Sequence, residues 1–293
     1  MSKTGLSRAA ATRITPEKWA AVRAALQESG DRFADLVQNA PDPSALAPRD
    51  WTVAETAAHA TGIALNYTAM VATDGRPLPI PEVRPYLPVT TVDTIHKGLN
   101  RVQLQSFTER DPVRLAERLR LAVGDILGAT AGTDPERIVS WLGDSRLPIA
   151  GVLAHMVNEL LIHGWDIAGA AGVPWSMPEE QAALFFDLFL IEIARNGYGH
   201  MLDDDRPVRP GRIAVEFRSA HTTPVTMVLD SGEATVEEVG PDCDVHIRFR
   251  PAALNMLLFH RIGHLRAALT GSLVVWGRRP WLLPAFLRKV RLP

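Results

Sequence analysis

The stretch His155-Met156-Val157-Asn158-Glu159-Leu160-Leu161-Ile162-His163 sets three chemistry-bearing side chains four residues apart in a mostly apolar run. Residues four apart on an α-helix share a face, and each step of four rises about 6 Å. Glu159 and His163 can therefore reach one point together. Val152, Leu153, Met156, Val157, Leu160, Leu161 and Ile162 surround them, so the helix is expected to be largely buried. A buried carboxylate beside buried histidines is costly unless it is paired or coordinated. Two readings follow from the spacing: a metal chelated by Glu159 and His163, or a salt-bridged or hydrogen-bonded core pair.

One helix seldom completes a metal shell, so a further ligand is expected from a facing helix. His59 is the best candidate. It lies eight residues past Trp51 in an Ala-rich helical stretch, where a polar residue needs a reason. Two histidines and one carboxylate form a catalytic zinc set with water in the open position, and the set also suits iron or nickel.

Outward from this stretch the helical signals continue. Thr15-Pro16-Glu17 opens a helix with a possible cap, a proline at the first helical position and an acid near the positive end. Apolar residues then recur from Trp19 to Val37, with Gly30 a possible bend. Thr52 and Glu55 match a capping box, and their helix should run to about Val71. Residues 75–90 hold five prolines and read as a surface connection. Helices are expected at about 91–109, 112–131, 148–170 and 176–196, with a loop over 132–148.

Beyond Gly197 the composition changes. Residues 203–211 read as a linker, and four short β-branched runs follow: Arg212–Phe217, Pro224–Leu229, Ala234–Val239 and Asp244–Phe249. An amphipathic helix is expected from Pro251 to Leu269, with Leu254, Leu257, Leu258, Ile262, Leu265 and Leu269 on one stripe. A strand over 271–277 and a helix over 279–290 close the chain. The order is all-α first, then α+β.

Composition narrows the functions. The single cysteine, Cys243, excludes an internal disulfide and a Cys-based zinc site, and its acidic neighbours argue against a nucleophile. No apolar run is long enough for a membrane span, and the first residues lack a secretory signal, so a cytoplasmic protein is expected. Gly-rich phosphate loops and G-x-S-x-G are absent. Net charge is −2, but residues 245–293 carry nine Lys/Arg and no acid. Such a segment faces the opposite sign: the acidic remainder of the chain, an anionic ligand, a membrane surface or nucleic acid. Packing beside the acidic remainder is the simplest of these. No helix-turn-helix surrounds the charges and aromatic interleaving is sparse, so nucleic acid is not expected.

The segment from Trp51 to His59, followed by Glu159-Leu160-Leu161-Ile162-His163-Gly164-Trp165-Asp166, resembles the mycothiol-dependent maleylpyruvate isomerase family, within the wider DinB-like metal-binding four-helix bundles. The likeness covers roughly residues 15–197. It implies a divalent metal, zinc, on His59, Glu159 and His163. It also implies a low-molecular-weight thiol such as mycothiol, which the metal activates unless it polarises the substrate instead. The strands, residues 251–269 and the Gly271–Gly277 run resemble a sterol-carrier-like C-terminal domain. The expected architecture is thus a flexible tail over 1–14, a metal-binding helical bundle over 15–200 and a sterol-carrier-like α+β domain over 208–293.

The expected function is metal- and thiol-dependent isomerisation or thiol transfer on a small anionic substrate, with basic side chains from 245–293 walling the cleft. The alternative is a non-enzymatic carrier of an apolar or acyl ligand with a structural metal. His155 and Asp166 are expected beside the ligands rather than among them. Trp51 and Trp165 read as core aromatics. His200, His221, His246, His260 and His264 share no ligand spacing, and the last two read as a solvated basic face.

Overall fold

The structure is a computed structural model, and it describes residues 14–47 and 50–291. The tail expected over 1–14 lies, apart from Ile14, outside the described residues. Four long helices form the N-terminal region: α1 (Pro16–Gln38), α2 (Val53–Val71), α4 (Pro112–Ala129) and α5 (Ile149–Ala171). A short α3 (Arg101–Ser106) precedes α4. α1 and α2 each pack against both α4 and α5, which makes a four-helix square with α1 and α2 on one diagonal.

Local chemistry sets the ends of these helices. The Thr15 hydroxyl accepts from the Lys18 N–H, with Pro16 at the start of α1. Thr52 and Glu55 form the full capping box of α2. Asp111 caps α4 by accepting from the Arg114 N–H. Gly172, in the left-handed region at φ 67°, stops α5. Gly30 does not bend α1. It is buried, and a Cβ there would stand 3.1 Å from Val123 Cγ2, so it serves the close approach of α4.

α5 is buried on nearly every side, which marks a helix at the centre of a core rather than on its surface. The loop expected over 132–148 contains a hairpin of β1 (Ile138–Ser140) and β2 (Arg146–Pro148). Gly143, at φ 62°, makes its turn. The expected helix over 91–109 narrows to a π-helical turn (His96–Asn100) and α3.

Residues 179–196 join the two halves as α6 (Glu179–Leu184), a π-helical segment (Phe185–Leu190) and α7 (Ile191–Asn196). Phe185, Leu188 and Phe189 belong to the bundle core, whereas Phe186 and Ile191 belong to a second core under the sheet. The sheet comprises β3 (Arg212–Arg218), β4 (Val225–Asp230), β5 (Glu233–Glu237), β6 (Val245–Phe249) and β7 (Leu273–Trp276), in the order β5-β4-β3-β6-β7. β3 and β6 are parallel and the other pairs antiparallel.

The single helix expected over 251–269 is two helices, α8 (Pro251–Leu258) and α9 (His264–Leu269). His260 breaks it at φ 58°, and the Arg261 N–H returns to the Met256 carbonyl at 2.7 Å. Leu265 and Leu269 therefore leave the expected apolar stripe and are exposed. The last expected helix shortens to a 3₁₀ turn (Pro280–Leu282) and α10 (Leu283–Lys289). Among the described residues no helix is long and apolar enough to cross a membrane.

Candidate metal centre

α5 presents His155, Glu159 and His163 along one face, and α2 brings His59 against it. His59, Glu159 and His163 each offer one donor atom, all within 4.8 Å of one another. Glu159 Oε2 lies 3.4 Å from His163 Nε2 and 3.7 Å from His59 Nε2. These gaps exceed ordinary hydrogen-bond lengths of about 2.7–3.2 Å. Two ligands held about 2.1 Å from one tetrahedral ion would stand roughly 3.4 Å apart, close to what is seen.

The protonation pattern suits two members of the set, while the third, His163, holds a proton that an ion would have to displace. Burial pushes the Glu159 carboxyl up, but His155, His163 and His59 outweigh it and hold it well below the usual carboxylate range. Burial lowers His59, so its ring is neutral and keeps a lone pair. His59 Nδ1 is buried without a hydrogen-bond partner. The Gln103 amide instead holds the His59 carbonyl at 2.9 Å. Burial also pulls His163 down, yet Asp166 and Glu159 prevail and raise it to about 9.

His155 has a different role. The Trp141 indole donates to the Tyr67 hydroxyl at 2.8 Å, and that hydroxyl lies 3.0 Å from His155 Nδ1. With its oxygen accepting from Trp141, the Tyr67 O–H is free to donate to His155 Nδ1. The ring's proton then sits on Nε2, which faces Glu159 Oε1 at 3.5 Å. His155 thus turns an N–H toward Glu159, at a distance similar to those of the other two histidines, rather than a lone pair toward an ion. Burial pushes its pKa down, as expected for a neutral ring.

Asp166 is one turn beyond His163 and meets its Nδ1 at 3.2 Å. The Arg261 guanidinium grips the same carboxylate with two nitrogens, its Nε at 3.0 Å from Oδ1. Although buried, Asp166 is held below its ordinary value by His163 and Arg261. Arg261 follows the break after α8, so the C-terminal half reaches the carboxylate that orients a candidate ligand. Asn255 on α8 adds a buried hydrogen bond to Asn158 on α5 at 3.0 Å.

Trp51 is half-buried and packs 4.7 Å, ring to ring, from His59 and 6.4 Å from His163. It borders the site rather than filling the core as expected. Trp165 is half-buried outside it. His96 and His260 line the cavity that opens on the centre, and both are exposed. His96 escapes sequence reading because a π-helical turn breaks the spacing rule that would place it. His200 meets Asp203 at 2.8 Å and His221 approaches Glu180 at 3.5 Å, both away from the centre. The side chain of His264 lies outside the described residues.

A second group, Glu216, Cys243 and His246, also has donors within 4.8 Å. Those groups are already engaged. Arg218 pairs with Glu216, His246 stacks on Trp276, and the Cys243 thiol donates to the Val245 carbonyl at 2.9 Å. Burial, followed by the charge of Asp244, pushes the Cys243 thiol up.

The basic C-terminal segment meets acids of the same chain. Arg250 pairs with Glu179, Arg279 with Asp244, and Arg291 with Asp93 and Asp204. The two arginines that line the cavity, Arg261 and Arg291, are thus both paired with aspartates.

The family model described as the mycothiol maleylpyruvate isomerase N-terminal domain matches residues 22–168. A crystal structure of a mutant mycothiol-dependent maleylpyruvate isomerase matches at 15% identity and TM-score 0.46, covering 82% of this chain and 86% of that one. A crystal structure of the mycothiol-dependent maleylpyruvate isomerase without that mutation matches at 16% identity and TM-score 0.44, with the same coverage. Sterol Carrier Protein 2 from Yarrowia lipolytica, in its apo form, matches at 17% identity and TM-score 0.23, covering 32% of this chain and 87% of that one. No curated protein matches the sequence.

Proposed function

The chain belongs to the mycothiol maleylpyruvate isomerase N-terminal domain family, and from that premise we propose that it is a metal-dependent enzyme using a low-molecular-weight thiol, mycothiol, to isomerise or thiolate a small molecule. His59, Glu159 and His163 would hold the ion, for which zinc is the best fit to two imidazoles and a carboxylate. The observation that carries the reading is the spacing of those three donors, too wide for hydrogen bonds and right for a shared ion. A thiol cosubstrate also places the protein in a reducing compartment, the cytoplasm.

Bound there, a divalent ion supplies positive charge that lowers the pKa of a nearby thiol or polarises a carbonyl. The chain's own residues prepare the place. Asp166 would accept from His163 Nδ1–H and fix the ring so that Nε2, once it has lost its proton, faces the centre. Arg261 holds Asp166 in turn. His155, oriented by Tyr67 and Trp141, would face its N–H to Glu159 Oε1 rather than to the Oε2 nearest His59 and His163. Trp51 covers one side of His59 and limits the water that reaches it.

Metal analysis of freshly purified protein tests the reading. We expect one equivalent of metal, lost in His59→Ala, Glu159→Ala and His163→Ala with the helical circular dichroism retained. Turnover of a thiol with an electrophile should vanish with the metal. Full turnover in the metal-free His163→Ala variant would refute the proposal.

A further inference from the structure

Resting on the reading above, we propose that the compound handled at this centre is an apolar molecule with one polar end, the polar end at the His59–Glu159–His163 triad and the apolar body running toward the sheet. The observation is a cavity of about 740 Å³ that opens on the triad. It does not stop there. Its wall runs past Ile63 and Met70 of α2, Val83 of the proline-rich connection and Phe189 of the π-helical segment, and ends at Met227 of β4 and Phe286 of α10.

Two features argue against a small anion. The volume would hold roughly 25 water molecules at liquid density, far more than a compound of a few carbons displaces. The two arginines on the wall are committed, since Arg261 is held by Asp166 and Arg291 by Asp93 and Asp204, and the remaining lining cation, Lys97, is an exposed side chain. Toward the sheet the wall is aliphatic and aromatic, with Phe217, Met227, Ile247, Leu254 and Phe286, and such surface is favourably covered by apolar matter. The candidate ligands come from α2 and α5 and the apolar sheet face from β4 and α10, so the occupant has a direction: its reactive end faces the triad.

Straight-chain alkyl hydroxamic acids, from acetohydroxamic acid to a twelve-carbon chain, separate this proposal from the metal reading. Their head chelates zinc and their tail has only the cavity to enter. Calorimetry on the zinc-loaded protein should show affinity rising about fourfold per methylene until the cavity is full. The same series on His163→Ala, which lacks the metal, should keep that slope and lose the contribution common to all heads. Met227→Trp, which fills the sheet end, should end the rise at a shorter chain with metal content unchanged. A flat series in the zinc-loaded protein, with acetohydroxamic acid bound tightly, would overturn the apolar compound and leave the metal intact. A steep series with no difference between wild type and His163→Ala supports the apolar body and removes the metal anchor.

Discussion

His163 carries two neighbouring carboxylates, one on each ring nitrogen, and they hold its proton to about pH 9 in the metal-free protein. An ion must displace that proton. Apparent metal affinity should therefore rise up to tenfold per pH unit toward pH 9 and then level, as read by competition with a chelator of known pH dependence. Asp166→Asn should shift the levelling point to lower pH. Without metal, the raised pKa of His163 lies above its ordinary 6.5, so its contribution to folding is complete below pH 6.5 and lost as pH rises through 9. Urea midpoints of chelator-treated protein should fall across that window, and those of the zinc form should not. At this scale Glu159 and His163 are legible in the sequence because a helix repeats them on one face. His59 is legible chiefly through resemblance, since its Ala-rich stretch marks it as odd but nothing in spacing links two helices a hundred residues apart. Tyr67 and Trp141 are not legible at all, because their roles depend on contacts with His155 that the fold alone creates.

Helix α5 shows what a whole element requires. Gly164 faces Trp175 so closely that a Cβ would stand 2.2 Å from the ring. Trp175 is fixed there by its indole N–H to the Leu161 carbonyl and by the Arg32 guanidinium 4.5 Å over its ring. Gly164→Ala should cost about 1–3 kcal/mol, measured by urea denaturation, because the ring has little room to retreat. The caps of α1 and α2 and the glycine stop of α5 are readable because each is a local event between residues three or four apart. The break between α8 and α9 is not. The leucine stripe of 251–269 is continuous in sequence, yet the chain turns at His260, and the turn leaves Arg261 facing Asp166, a partner on another helix. The β1–β2 hairpin is missed for a related reason, since its two strands have three residues each and show little alternation.

Across the whole molecule, the order of an all-helical part followed by a mixed sheet is plain from composition, whereas the way the two cores share the 179–196 segment is not. Phe185 and Phe186 are neighbours in sequence and belong to different cores. The acid-free C-terminal segment is another whole-molecule feature: several of its charges are answered by the chain's own acids, as with Arg250 and Glu179. Arg261 gives this pairing a measurable reach. Arg261→Leu should weaken zinc binding about 10–100-fold, although Arg261 is not a ligand, because Asp166 would no longer be held for His163. Arg261→Lys should recover only part, since one ammonium cannot replace a two-point grip. Chelator competition at fixed pH reads both.

The chain's single cysteine is sealed at 2% exposure, with its thiol turned onto backbone carbonyls. On the function proposed above, which would bathe the protein in small thiols and their disulfides, this makes it a spectator in sulfur exchange. An oxidised small thiol would find no partner on it, so swings in thiol–disulfide balance should leave the folded protein unmodified. Incubation with the disulfide form of the thiol should add no mass to the folded protein, and iodoacetamide should add one carbamidomethyl group only once urea has opened the sheet.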